Sequence, residues 1–172
     1  MTQSSQRQND QFSVRPATPA DVPQILRFIH DLAEYEREPY AVHATEDDLL
    51  RDGFGKTKRF DCLMAELNQS GTTIPVGFAL YFYNYSTWRG HAGLYLEDLF
   101  VLVEMRGKGI GKALLQRLAQ IALEEKCYGL RWMVLEWNEP ALKFYESLGA
   151  ELLGEWETML LRGEPLERLA AG

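Results

Sequence analysis

The chain has 172 residues, 46% of them hydrophobic and 25% charged, which is the length of one compact domain and enough to bury a core without disulfides or a structural metal. A formal net charge of −7 and a pI near 5.0 run against a general nucleic-acid binder and suit cationic or small-molecule partners. No run approaches the roughly 18 apolar residues of a membrane span, and the opening MTQSSQRQND lacks the apolar core of a signal peptide. The expectation is a cytoplasmic protein with no membrane or nucleic-acid partner, a disordered tail over residues 1–11 and a single domain over 12–172.

FSVRP, residues 12–16, alternates apolar and polar side chains and stops at proline, as a short first strand does. A helix follows: Thr18 can cap it, Pro19 fits the first helical position, Asp21 sits in the first turn, and Ile25, Leu26, Ile29 and Leu32 share a face. Thr45 caps a second, brief helix that Gly53 and Gly55 end. RFDCLMAEL, IPVGFALYFYNYS and AGLYLEDLFVLV are rich in β-branched and aromatic residues and predict three consecutive strands, with NQSGTT at 68–73 as the first turn.

Ile110, Leu114, Leu115, Leu118, Ile121 and Ala122 then recur at helical spacing. LRWMVLE, residues 130–136, predicts a buried strand. Asn138 as a cap, Pro140 in the first turn and Gly149 as a stop predict another helix, and two short strands near 151–154 and 158–161 close the chain. The order predicts a mixed α/β domain: an antiparallel first half and a strand-helix-strand crossover in the second. Cys62 and Cys127 sit among apolar neighbours and read as small buried hydrophobes. His30, His43 and His91 are scattered without ligand spacing, so no metal site is expected.

RGKGIGK, residues 106–112, lies between a strand and a helix. It fails as a triphosphate loop, because Arg106 stands where the first glycine is needed and Ala113 where the hydroxyl is needed. It also fails as a dinucleotide fingerprint, because Lys112 or Leu114 occupies the place of the third glycine. What remains is Arg106-x-x-Gly109-x-Gly111 with Lys112 in the first helical turn. Such a loop brings backbone amides close to an anion, or is a glycine-rich turn whose bases face solvent.

DLLRDGFG, VGFALYF, YSTW, YLEDLFV, this loop and EWNEPALKFYESLGA, in that order, resemble the GNAT superfamily of acyl-CoA-dependent N-acetyltransferases. Within it the chain looks like the diamine acetyltransferase branch, which holds the spermidine/spermine and thialysine enzymes. The resemblance covers about Phe12 to Ala170 and implies a mixed central sheet of six to seven strands flanked by about four helices. It further implies acetyl-CoA as cosubstrate, a small primary amine as acceptor, and a homodimer.

The resemblance assigns residues as follows. Arg106, Gly107, Lys108, Gly109, Ile110, Gly111 and Lys112 would hold the CoA pyrophosphate. Leu99, Phe100 and Val101 would line the pantetheine arm, and Asn138, Glu139, Pro140 and Ala141 would also contact the cofactor. Glu97 matches the acid that takes the amine's proton, which is needed because an alkylammonium has a pKa of about 10. Tyr145 matches the tyrosine that protonates the departing sulfur. Tyr35, Glu36, Ser86, Trp88, Asp98, Arg131, Trp132 and Met133 match amine-side positions, Glu97 again among them. Ser86 stands where the polyamine enzymes carry an acid, and losing one charge-assisted contact costs about 1.5–3 kcal/mol. That favours a thialysine- or lysine-like amine over a polyamine. Rival readings are a polyamine acetyltransferase, a protein or aminoglycoside acetyltransferase, and a non-catalytic acyl-CoA-binding protein on the same fold.

Overall fold

The computed structural model describes residues 11–69, 71–154 and 157–172. The chain packs as two compact units that divide after Met133. The predicted tail lies outside the described residues except for Gln11, which already belongs to the first strand.

The first unit is a five-stranded sheet in the order β1-β2-β3-β4-β5. The strands are β1 (Gln11–Pro16), β2 (Asp61–Gln69), β3 (Thr72–Ser86), β4 (His91–Val101) and β5 (Leu130–Arg131). The first four pair antiparallel, with Val14 opposite Ala65, Leu63 opposite Ala79 and Phe78 opposite Phe100. Only β4 and β5 run parallel, with Leu94 opposite Leu130 and Tyr95 opposite Arg131. Helix α3 (Ile110–Glu124) makes the crossover that a parallel pair requires. The antiparallel meander and the later crossover are therefore both as expected.

Residues of β2 alternate between the two faces of the sheet. On one face Val22, Ile25 and Phe28 of α1 (Val22–Tyr35) pack with Cys62, Met64, Phe78, Leu80 and Phe100, together with Leu49 of α2 (Glu46–Leu49). The Phe28 ring lies 5.7 Å from both Phe78 and Phe100. Helix α3 packs on β1 to β4 through the six apolar residues predicted for its buried stripe. Cys62 is buried and Cys127 half-buried, both as free thiols. Burial pushes the Cys62 thiol well above its ordinary range.

At the sheet edge Arg15 donates two hydrogen bonds of 2.8 Å to Asp21 and one to Glu66. Asp21 also accepts from the Thr18 amide and hydroxyl. The Arg15 guanidinium holds the Asp21 carboxyl down to about 2. This pairing fixes the start of α1 to the sheet, beginning in a 3-10 turn at Pro19–Asp21.

The second unit holds α4 (Glu139–Ser147) and α5 (Glu164–Ala171). Asn138 caps α4 by accepting from the Ala141 amide, and Gly149 ends it at φ 86°, both as expected. Three expectations fail. The strand foreseen over 130–136 pairs only at Leu130 and Arg131, and the closing strands near 151–154 and 158–161 do not form among the described residues. A helix that was not expected, α5, follows instead. Among the described residues the sheet thus has five strands rather than six or seven, and there are five α-helices rather than about four. Strand propensity alone does not make a strand, because the backbone groups must also pair.

Candidate active site

The site begins with a fault in a strand. Leu80 faces Asp98, but the next residue, Tyr81, faces Leu96, which leaves Glu97 as an extra residue in β4. In a regular strand Glu97 and Asp98 would point to opposite faces. A β-bulge breaks that alternation, bends the strand and re-aims its side chains. Glu97 is exposed and Asp98 half-buried. Burial raises the Asp98 carboxyl to about 6, and the negative charges of Glu97 and Glu36 add to the shift.

Glu36 comes from another element. It closes the C-terminus of α1, where the helix dipole disfavours a carboxylate. Burial raises its pKa as well. The turn beyond is bonded from the Glu38 amide to the Ala33 carbonyl and from the Arg37 amide to the Glu34 carbonyl, with Arg37 at φ 69°. That conformation is uncommon for a residue with a side chain. Asp98 and Glu36 both carry raised carboxyl pKa values, and Asp98 feels the charge of Glu97 and of Glu36, an environment that a cation would relieve.

Pairing between β4 and β5 stops at Tyr95 and Arg131, two residues before the bulge. From Leu96 to Val101 the described ladder of β4 is with β3 alone. Leu99 is half-buried on this stretch, while Phe100 and Val101 are buried. A strand with one open edge offers amides and carbonyls to an extended ligand.

The glycine loop continues from there. A 3-10 turn over Val103–Met105 leads to Arg106. Gly107 at φ 75° and Gly109 at φ 86° then take left-handed conformations that favour glycine. Buried Met105 and Ile110 anchor the loop on either side. Gly109 is the N-cap of α3 and supplies no side-chain bond to its first amides. Gly111 is half-buried, whereas Lys108 and Lys112 are exposed. Amides at a helix start, beside two lysines, fit the pyrophosphate of a CoA thioester.

Arg106 does something the sequence did not suggest. Its Nε donates to the Val101 carbonyl at 3.1 Å, and its guanidinium lies 4.4 Å from the Tyr35 ring centroid and 5.8 Å from that of Phe100. Tyr35 is the last residue of α1, immediately before Glu36. The first unit therefore assembles Tyr35, Glu36, Glu97, Asp98, Phe100, Val101 and Arg106.

Other predicted residues lie elsewhere. Ser86 ends β3 opposite His91, and Trp88, 87% exposed, sits in the turn that follows. Glu97 lies six positions beyond His91, roughly 20 Å along the strand, so one chain does not bring Ser86 or Trp88 to the acids. Arg131 pairs beside Tyr95, while Trp132 and Met133 leave the ladder.

In the second unit Asn138 is buried at the head of α4, and Glu139 and Pro140 are exposed in its first turn, with Ala141 half-buried. Tyr145 is half-buried in the same helix, its ring 5.3 Å from that of Phe144.

The model for the Acetyltransferase (GNAT) family matches residues 25–150, and the chain belongs to that family. Its members use acetyl-CoA, and the chain is an amine N-acetyltransferase. It is 41% identical over 165 residues to thialysine N-epsilon-acetyltransferase of Bos taurus, covering 91% of this chain and 96% of that one. It is 42% identical over 144 residues to spermidine/spermine N(1)-acetyltransferase-like protein 1 of Homo sapiens, covering 82% of this chain and 21% of that protein. A solved integron cassette protein from the mobile metagenome of V. cholerae superposes with a TM-score of 0.75 at 28% identity, covering 94% of this chain and 98% of that one.

Proposed function

We propose that the enzyme acetylates the terminal amine of a thialysine- or lysine-like amino acid. The observation that carries this reading is the acid cluster at the β4 bulge, where Asp98 feels the charges of both Glu97 and Glu36. Acids at that density attract an ammonium and then accept the proton it must lose before its nitrogen can attack. Glu97 is the proton acceptor in this reading. Asp98, poised at about 6, tunes it and holds the amine together with Glu36.

Acetyl-CoA supplies the activated acetyl thioester, and residues 106–112 with the open stretch of β4 are its seat. The β4 backbone offers amides to the thioester oxygen. The Tyr145 hydroxyl serves as proton donor to the leaving sulfur. Residues 12–172 act as one functional domain in this reading, since the family match at 25–150 runs across the division after Met133.

A homodimer suits the exposed aromatics of the β3–β4 hairpin, with Tyr85 at 66% and Trp88 at 87% exposure. Among the described residues no helix is long and apolar enough to cross a membrane, which fits a cytoplasmic enzyme. Serine at position 86 favours the amino-acid substrate, whereas the identities of 41% to the thialysine enzyme and 42% to the spermidine/spermine-like protein do not separate the two.

The test is release of CoA thiol from acetyl-CoA with thialysine, lysine, spermidine and short diamines. Thialysine is expected to give the highest kcat/KM. A clear preference for spermidine would establish the polyamine alternative, and release with none of them would overturn the reading.

A further inference from the structure

Arg106 joins three places with one side chain. Its Nε bonds the carbonyl at the end of β4, its backbone opens the glycine loop, and its guanidinium covers the Tyr35 ring at the end of α1. A planar guanidinium can stack on a ring and keep a hydrogen bond in its own plane, which a lysine ammonium cannot reproduce. Tyr35 precedes Glu36, and the bonded turn beyond them at Arg37 and Glu38 fixes both to the helix end. Any shift of the loop is therefore felt at an amine-side acid by way of one stacked ring.

We infer that Arg106 is a positioning residue that couples the two substrates: seating CoA on residues 106–112 fixes the guanidinium on Tyr35, and this orders the turn that presents Glu36 to the amine. By reciprocity, the amine must tighten CoA by the same factor. The inference rests on the acetyl-transfer reading, but it concerns communication between the sites and stands whether or not Arg106 also touches a phosphate.

The experiment is calorimetry with CoA, which binds without turnover, and with whichever of thialysine and spermidine binds more tightly. The amine Kd is measured with and without saturating CoA in the wild type, R106A, R106K and Y35L. In the wild type CoA is expected to lower the amine Kd by about threefold or more, the size of one partly buried cation–π contact. In all three variants that ratio falls to near one, and lysine does not restore it. The double variant R106A/Y35L is no worse than either single one, because both remove the same contact.

A ratio unchanged in R106A or Y35L would overturn the inference, as would a wild type whose amine affinity ignores CoA. Full recovery in R106K would also contradict it, since charge alone would then suffice. Melting curves accompany each variant, and R106Q replaces R106A if the alanine form does not fold. Wild-type protein that shows the coupling yet releases no thiol would contradict the acetyl-transfer reading and leave the coupling standing.

Discussion

The two ends of β4's second half bind by opposite means. At the bulge, precision lies in side chains: Glu97, Asp98 and Glu36 are acids whose positions depend on a strand fault and a helix end. At residues 106–112 it lies in the backbone, where two left-handed glycines and an uncapped helix present amides. One region selects charge and titrates. The other recognises an anion that many unrelated ligands share. Selectivity for the amine should therefore be changed by altering side chains at the first, whereas cofactor affinity should respond to changes in backbone freedom at the second.

The largest expected effect lies outside both regions. Tyr145→Phe removes the proposed proton donor and should lower kcat by about 10²–10⁴-fold while acetyl-CoA still binds. Single-turnover kinetics check it, and an unchanged rate would remove Tyr145 from the chemistry. Glu97→Gln should lower kcat/KM for the amine by roughly 10²-fold and leave CoA affinity alone, as steady-state kinetics with calorimetry would show.

Gly109→Ala tests the other region. Its φ of 86° disfavours a side chain by about 1–2 kcal/mol. The alanine loop settles elsewhere and must be restored on binding, raising the CoA Kd by roughly 5- to 30-fold with the intrinsic amine affinity unchanged.

The last effect falls on folding stability and not on either site. Asp21, held down to about 2 by Arg15, contributes stability that is present above pH 4 and lost as pH falls from about 4 to 2. Asp21→Asn should cost about 2 kcal/mol at neutral pH and remove that acid sensitivity, which denaturant melts at pH 7 and pH 3 would reveal.

Much of this was legible beforehand because it is local. The glycines at 107 and 109, the cap at Asn138, the stop at Gly149 and the apolar stripe of α3 each act within a few residues. Glu97 and Asp98 were visible as acids in an apolar strand, and two adjacent acids are the sign that alternation fails there. The bulge itself depends on the register of β3, which no local pattern records. The closing strands also failed: Leu152, Leu153, Leu160 and Leu161 have strand propensity, yet no strand forms there among the described residues. Gly163, Pro165 and the acids Glu164 and Glu167 mark the start of α5 in the sequence. The Arg106 stack on Tyr35 joins residues 71 positions apart and left no trace in the motif.

The central claim is that the bulge acids manage the amine's proton, and the pH dependence of kcat/KM for the amine tests it most directly. Asp98 ionises near 6 in the fold against 3.9 unfolded. Its raised pKa favours folding below pH 4, and that contribution is lost as pH rises through 6. Asp98→Asn should accordingly stabilise the protein at pH 7–8, by roughly 2–3 kcal/mol at most, while reducing activity. The wild-type profile should fall with decreasing pH around an apparent pKa near 6 that belongs to the acid cluster, and that limb should move to lower pH in Asp98→Asn. A limb at the same pH in wild type, Asp98→Asn and Glu97→Gln would contradict the account.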